Sequence, residues 1–224
     1  MQRTKLADRT LPAYTKGEEI FNMVSHIVGG ALGITALVMC VVFAALNRNV
    51  YGVIGGAIYG STMIVLYAMS SIYHGLSPKL TAKKVMQVID HCAIYFLIAG
   101  TYPPIALCNI RMHNTAIGWT IFGIIWGMAA LGVILTAIDL KKYSKFSMVC
   151  YLGMGWCIVL TANLLPKLLG VKGVILLVLG GVAYTVGAVL YGLGKKKKYA
   201  HSVFHMFVLI GSVLHFFCIL FYVM

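Results

Sequence analysis

Seven apolar runs of about 20 residues each, separated only by short loops, constrain this chain more than any other feature. They cover approximately residues 20–46, 50–73, 85–108, 115–138, 146–165, 171–193 and 201–223. Each is long enough to cross a hydrocarbon core of about 30 Å as an α-helix. A long helix that is apolar all round must lie in lipid or in a large core. A chain of 224 residues cannot bury seven such helices inside itself, so lipid has to be the solvent. Composition agrees: 61% of residues are hydrophobic and 10% charged, where soluble domains carry about 25% charged residues. The expectation is an all-α fold, a seven-transmembrane helical bundle forming one membrane domain over 1–224. The loops at Asn47-Arg48-Asn49, Gly75-Leu76-Ser77-Pro78, 109–114, 139–145, 166–170 and 195–198 suit antiparallel neighbours.

Orientation follows from counting Lys and Arg in alternate loops. The N-terminal segment holds Arg3, Lys5, Arg9 and Lys16; the second loop Lys79, Lys83 and Lys84; the fourth Lys141, Lys142 and Lys145; the sixth Lys195 to Lys198. These are 14 of the 18 basic residues, against Arg48, Arg111, Lys167 and Lys172 on the other side. The expectation is a cytoplasmic N-terminus and an extracellular C-terminus. The same bias accounts for the net charge of +13. The basic residues are spread over short loops, not gathered on a soluble face, which argues against nucleic acid as a partner. The first nineteen residues are polar and of mixed charge, unlike a cleavable signal peptide, and no lipidation motif is visible. Six cysteines fall singly in apolar runs with no C-x-x-C pair, which suits small apolar fillers. Glycines four apart (Gly52, Gly56 and Gly60; Gly29 and Gly33; Gly123 and Gly127) predict close helix approach within the bundle.

Ionisable residues inside spans are costly and are functional candidates by default. Glu19, Asn22 and His26 lie at i, i+3 and i+7 at the start of span one. Ser70 and His74 are four apart at the end of span two, Asp90 and His91 lie early in span three, and His201 and His205 are four apart at the start of span seven. Positions four apart share a helix face. The topology count used none of these positions, yet it assigns all four sets to the cytoplasmic leaflet.

Metal binding is the chemistry such a set supports. His201 and His205 at i and i+4 can direct two imidazoles at one ion, and His74 can supply a third nitrogen. Three protein ligands with an open position describe a catalytic zinc site. Asp90 is then placed to orient or deprotonate a bound water, and Ser70 to hydrogen-bond the water or an oxyanion. Glu19, Asn22 and His26 would support these groups from behind. Blander readings stand beside this one. An H-x-x-x-H pair at a membrane surface can be two interfacial histidines, and His26, His91 and His215 can be hydrogen-bonding or interfacial residues. Glu19 with Asn22 can cap the helix. His113 reads as an exposed loop residue, and Trp119, Tyr143 and Tyr199 as interface anchors.

The chain resembles the hemolysin III proteins, the bacterial branch of the progestin and adiponectin receptor (PAQR) superfamily. The resemblance runs from Gly17-Glu18-Glu19-Ile20-Phe21-Asn22 to the C-terminus. Its motifs are E-x-x-N at Glu19 and Asn22, S-x-x-x-H at Ser70 and His74, Asp90 leading into Ile98-Ala99-Gly100-Thr101-Tyr102-Pro103-Pro104, and H-x-x-x-H at His201 and His205. The resemblance implies seven helices with the N-terminus inside, a zinc held by His74, His201 and His205, and Asp90 and Ser70 beside it. It also implies a multi-pass protein of the bacterial plasma membrane, in a fold linked to hydrolases of lipid amides such as alkaline ceramidases.

Fold and site do not fix a substrate. Three functions follow: a zinc-dependent hydrolase of a lipid amide or ester; a non-enzymatic regulator of membrane lipids or receptor-like sensor with structural zinc; and a cytolytic pore or channel. A pore needs a polar path across the bilayer, and the outer halves of the spans offer chiefly Thr161 and Asn163. Membrane lipid is the expected partner, and the sequence names no protein partner.

Overall fold

The computed structural model describes residues 4–193 and 197–224. Arg3, Lys195 and Lys196, counted above for orientation, lie outside the described residues. Among the described residues, seven helices are long and apolar enough to cross a membrane. α1 is Lys16–Leu46 and α2 Val50–Gly75. α3 runs Thr81–Pro103 and continues through a π-helical stretch, Pro104–Ile110, to His113. α4 is Thr115–Ile138; α5 is Ser144–Trp156 with a 3₁₀ extension, Cys157–Thr161; α6 is Leu165–Leu193 and α7 Ala200–Tyr222. No strand occurs among the described residues. The protein is a multi-pass membrane protein.

Sequential helices pack side by side, and α7 closes back onto α1. α3 is the central column, touching α2, α4, α5 and, through its π-helical part, α6. Its most apolar window is 78% buried, against 28% for α1, α4, α5 and α6. Lipid-facing helices leave most of their surface to the bilayer, so burial marks where protein replaces lipid.

The glycine row of α2 sets the α1–α2 distance. A Cβ on Gly60 would lie 2.4 Å from Leu37 Cα, so only glycine allows this crossing. Gly29 and Gly33 likewise receive α2 side chains. Gly123 and Gly127 correct the expectation: nothing lies within 4 Å of a Cβ at either, so that pair faces outward and packs no helix. Spacing identifies a small-residue stripe but not the direction it faces. The six cysteines are free, and five are buried.

Two expected loops are helical, and the first, second, third and sixth spans are longer than their apolar runs, while the fifth is shorter. Residues 109–114 continue α3 as far as His113, which is exposed on a helical turn rather than in a loop. Pro103 and Pro104 remove two backbone donors, and the helix widens into a π segment instead of stopping. Residues 166–170 begin α6, which breaks at Gly170 with φ 65°. That conformation is open to glycine without a Cβ penalty. Asn109 Nδ2 donates to the carbonyls of Leu168 (3.1 Å) and Tyr222 (3.4 Å), covering acceptors near this break. Tyr102 does similar work at the start of the 3₁₀ turn, where its hydroxyl accepts from Ile158 N–H and donates to Met154 O.

Candidate metal centre

α1, α3 and α7 begin at the end of the bundle where α2 finishes, and His74, His201 and His205 meet there. His201 and His205 share a face of α7. His201 Nε2 lies 3.3 Å from His74 Nε2 and 3.0 Å from His205 Nε2. A tetrahedral zinc with bonds of about 2.0–2.1 Å holds its ligand atoms about 3.3–3.4 Å apart, so this spacing suits one shared ion. Protons alone fit less well. A neutral imidazole carries one proton, and His201 Nε2 cannot serve both contacts as an aligned hydrogen bond. The three histidines can therefore hold a metal ion.

Surrounding contacts fix the imidazoles. Glu19 Oε2 lies 2.6 Å from His74 Nδ1, so the carboxylate accepts a hydrogen bond from Nδ1–H and favours the tautomer whose Nε2 carries a free lone pair. The other oxygen, Oε1, accepts from Lys83 Nζ at 2.7 Å. His26 stacks on His205 at 3.7 Å between centroids. Tyr14, from the segment before α1, stacks on His201 at 5.0 Å and tilts against His74 at 5.8 Å. Burial pushes the Tyr14 phenol well up, which keeps it a neutral cover. Asn22 is fully buried, and neither atom of its amide has a partner. His201 Nδ1 and Ser202 Oγ are also buried without partners.

The helix cap is made by Glu18, not Glu19. Thr15 and Glu18 form a capping box, and Glu18 Oε1 also accepts from Tyr199 N–H at 2.6 Å, tying α1 to the start of α7. This leaves Glu19 free for His74. Tyr199, expected as an anchor, is half-exposed with φ 59°.

Ser70 sits one turn before His74 and is buried; Asp90 is buried on α3, with His91 Nδ1 3.7 Å from its carboxylate. Both line a cavity of about 660 Å³ that His26, His201 and His205 also line. The cavity reaches down to His215, whose Nε2 pairs with Leu177 O at 3.0 Å, away from the three histidines. Sequence reasoning missed Tyr14 and treated Lys83 as a loop charge. The signal for Lys83 was its spacing: Lys83, Gln87 and Asp90 stand at i, i+4 and i+7 on α3, and all three are buried.

The family model described as "Haemolysin-III related" matches residues 14–216. The chain is 38% identical to a protein named Hemolysin-3 from Bacillus cereus over 208 residues, 92% of either chain. It is also 38% identical to a Hemolysin-3 homolog of Bacillus subtilis (strain 168), over 93% of this chain and 96% of that one. A human protein named monocyte to macrophage differentiation factor is 28% identical over 207 residues, 89% of this chain and 79% of its own.

Proposed function

The chain belongs to the haemolysin-III-related family, and from that premise we propose that it is a zinc-dependent membrane hydrolase cleaving a lipid amide or ester. The observation that carries this reading is the convergence of three imidazole nitrogens, from His74, His201 and His205, of which the latter two residues line a large cavity together with Ser70 and Asp90. His74, His201 and His205 would hold the ion. When bound, zinc supplies a Lewis acid that brings the pKa of a ligand water to about 7.

The remaining work falls to the chain's own residues. Asp90 would accept a proton from the attacking water as a general base and pass it to the departing amine or alcohol as a general acid. Ser70 would donate a hydrogen bond from its hydroxyl to the oxygen of the scissile carbonyl. Leu97, Ile98, Leu152 and Val208 line the same cavity and hold the apolar part of the lipid away from water. Glu19 and His26 keep His74 and His205 in place, and Asn22 completes the polar surroundings at the start of α1. The histidine end is assigned to the cytoplasm because 14 of the 18 Lys and Arg residues belong to that side by the loop count. Residues 1–224 act as a single membrane domain.

The test is turnover of a panel of N-acyl and ester lipids by purified protein in lipid nanodiscs. Wild type is expected to cleave at least one lipid. Asp90→Ala is expected to lose about 10²- to 10⁴-fold in rate while retaining its metal. Full turnover in Asp90→Ala and His205→Ala would overturn the mechanism. Metal-dependent stability without turnover on any lipid would favour a regulator or sensor with a structural metal.

A further inference from the structure

Lys83 occupies a position that elementary electrostatics disfavours twice. It lies in the first turn of α3, where the helix dipole repels a cation. A lysine at a helix end would ordinarily extend its stem toward water. Lys84 next to it does so and reaches the Ala7 carbonyl at an exposed site, at 2.7 Å. Lys83 instead turns inward and is 1% exposed.

Its surroundings fill every role a buried ammonium needs. Nζ donates to Glu19 Oε1 at 2.7 Å and to Leu76 O at 2.9 Å, and lies 5.1 Å from the centre of the Tyr73 ring. Glu19 then uses its second oxygen on His74 Nδ1. The contacts form one line across three helices: Lys83 on α3, Glu19 on α1 and His74 on α2, ending at the nitrogen that faces His201. A carboxylate held only by His74 could rotate or pair with solvent cations. Held by Lys83 as well, it has one orientation left.

We propose that Lys83 is a positioning residue for the metal centre: through Glu19 it fixes the His74 ring with Nδ1 protonated and Nε2 turned to the ion. This rests on the metal-binding reading above. Partners that orient a ligating histidine typically contribute about 10- to 100-fold in metal affinity.

The experiment measures zinc affinity by chelator competition, the visible spectrum of the cobalt-substituted protein, and the thermal midpoint of the metal-free protein. The proteins compared are wild type, Lys83→Met, Lys83→Arg and the double variant Glu19→Gln with Lys83→Met. Lys83→Met is expected to lose about 10- to 100-fold in zinc affinity and to shift the cobalt bands. Lys83→Arg, which keeps a cation facing Glu19, is expected to restore most of that loss.

The double variant separates positioning from charge balance. It leaves no unpaired buried charge, so its thermal midpoint should recover while its zinc affinity stays low. Recovery of affinity together with stability would overturn the proposal, because Lys83 would then only balance charge. Wild-type affinity in a folded Lys83→Met would overturn it as well. No metal binding by the wild type would instead remove the reading on which it rests.

Discussion

At the histidine end, polar side chains from α1, α2, α3 and α7 meet one another; at the opposite end they meet backbone. There, Asn47 Nδ2 donates to Met224 O at 2.8 Å, Asn109 to Leu168 O and Tyr222 O, and Arg111 Nε to Leu107 O at 2.8 Å. Asn49 and Asn114 cap α2 and α4. Arg111 also lies 3.6 Å from the centre of the Tyr51 ring. Each of these hydrogen bonds closes a helix end or covers a backbone carbonyl. The histidine end has its own such contacts, in the Thr15–Glu18 box and around Asp139. Beyond them it carries most of the buried groups without a hydrogen-bond partner: the Asn22 amide, both ring nitrogens of His26, Ser202 Oγ and Nδ1 of His201. Buried polar atoms without partners are costly, so their concentration at one end marks a place built for something other than stability.

The largest stability effect separating the two ends is expected at Asn109. Asn109→Ala leaves the acceptors at Leu168 and Tyr222 uncovered and should cost about 1–3 kcal/mol in thermal or denaturant unfolding. Metal content should not change. Asn22→Leu, at the histidine end, removes an amide that bonds to nothing and should cost under about 1 kcal/mol in the metal-free protein. A loss at Asn22 equal to that at Asn109 would break the contrast.

A smaller effect concerns Asp139, just beyond α4. Hydrogen bonds from Thr4, then from the backbone N–H groups of Lys142 and Lys141, hold its carboxyl well below the usual range. A depressed folded pKa means that the stabilisation is fully present above the unfolded value of about 3.9 and is lost as the pH falls through the lower, folded one. Pepsin cleavage of the N-terminal segment should therefore accelerate as the pH drops below about 4. In Asp139→Asn the acceleration should be largely absent, since that chain starts without the ionised latch. Cleavage of the Asp139 protein that does not respond to pH would contradict this.

Much of this architecture was legible in the residues. Hydrophobic length alone gives seven spans, because a bilayer imposes one thickness on every helix. Helical spacing also put Ser70 with His74 and His201 with His205 before any coordinates. What escaped depended on where side chains turn. Asn109 reads as a loop residue, yet it lies in the π-helical continuation of α3 and serves carbonyls of α6 and α7. Gly123 and Gly127 carry the same spacing as Gly56 and Gly60 but face outward. Lys83 counts as a loop charge until Glu19 is seen to draw it inward. Tyr14 precedes the first span, and nothing in its local pattern points to His201.

In the proposed reading, His74, His201 and His205 hold one zinc. The most direct test is the zinc content of purified wild type beside His74→Ala and His201→Ala, all prepared identically in lipid. Wild type should retain zinc through purification, and both variants should fall to background while remaining folded. Equal zinc in all three proteins would mean that the histidines do not hold the ion.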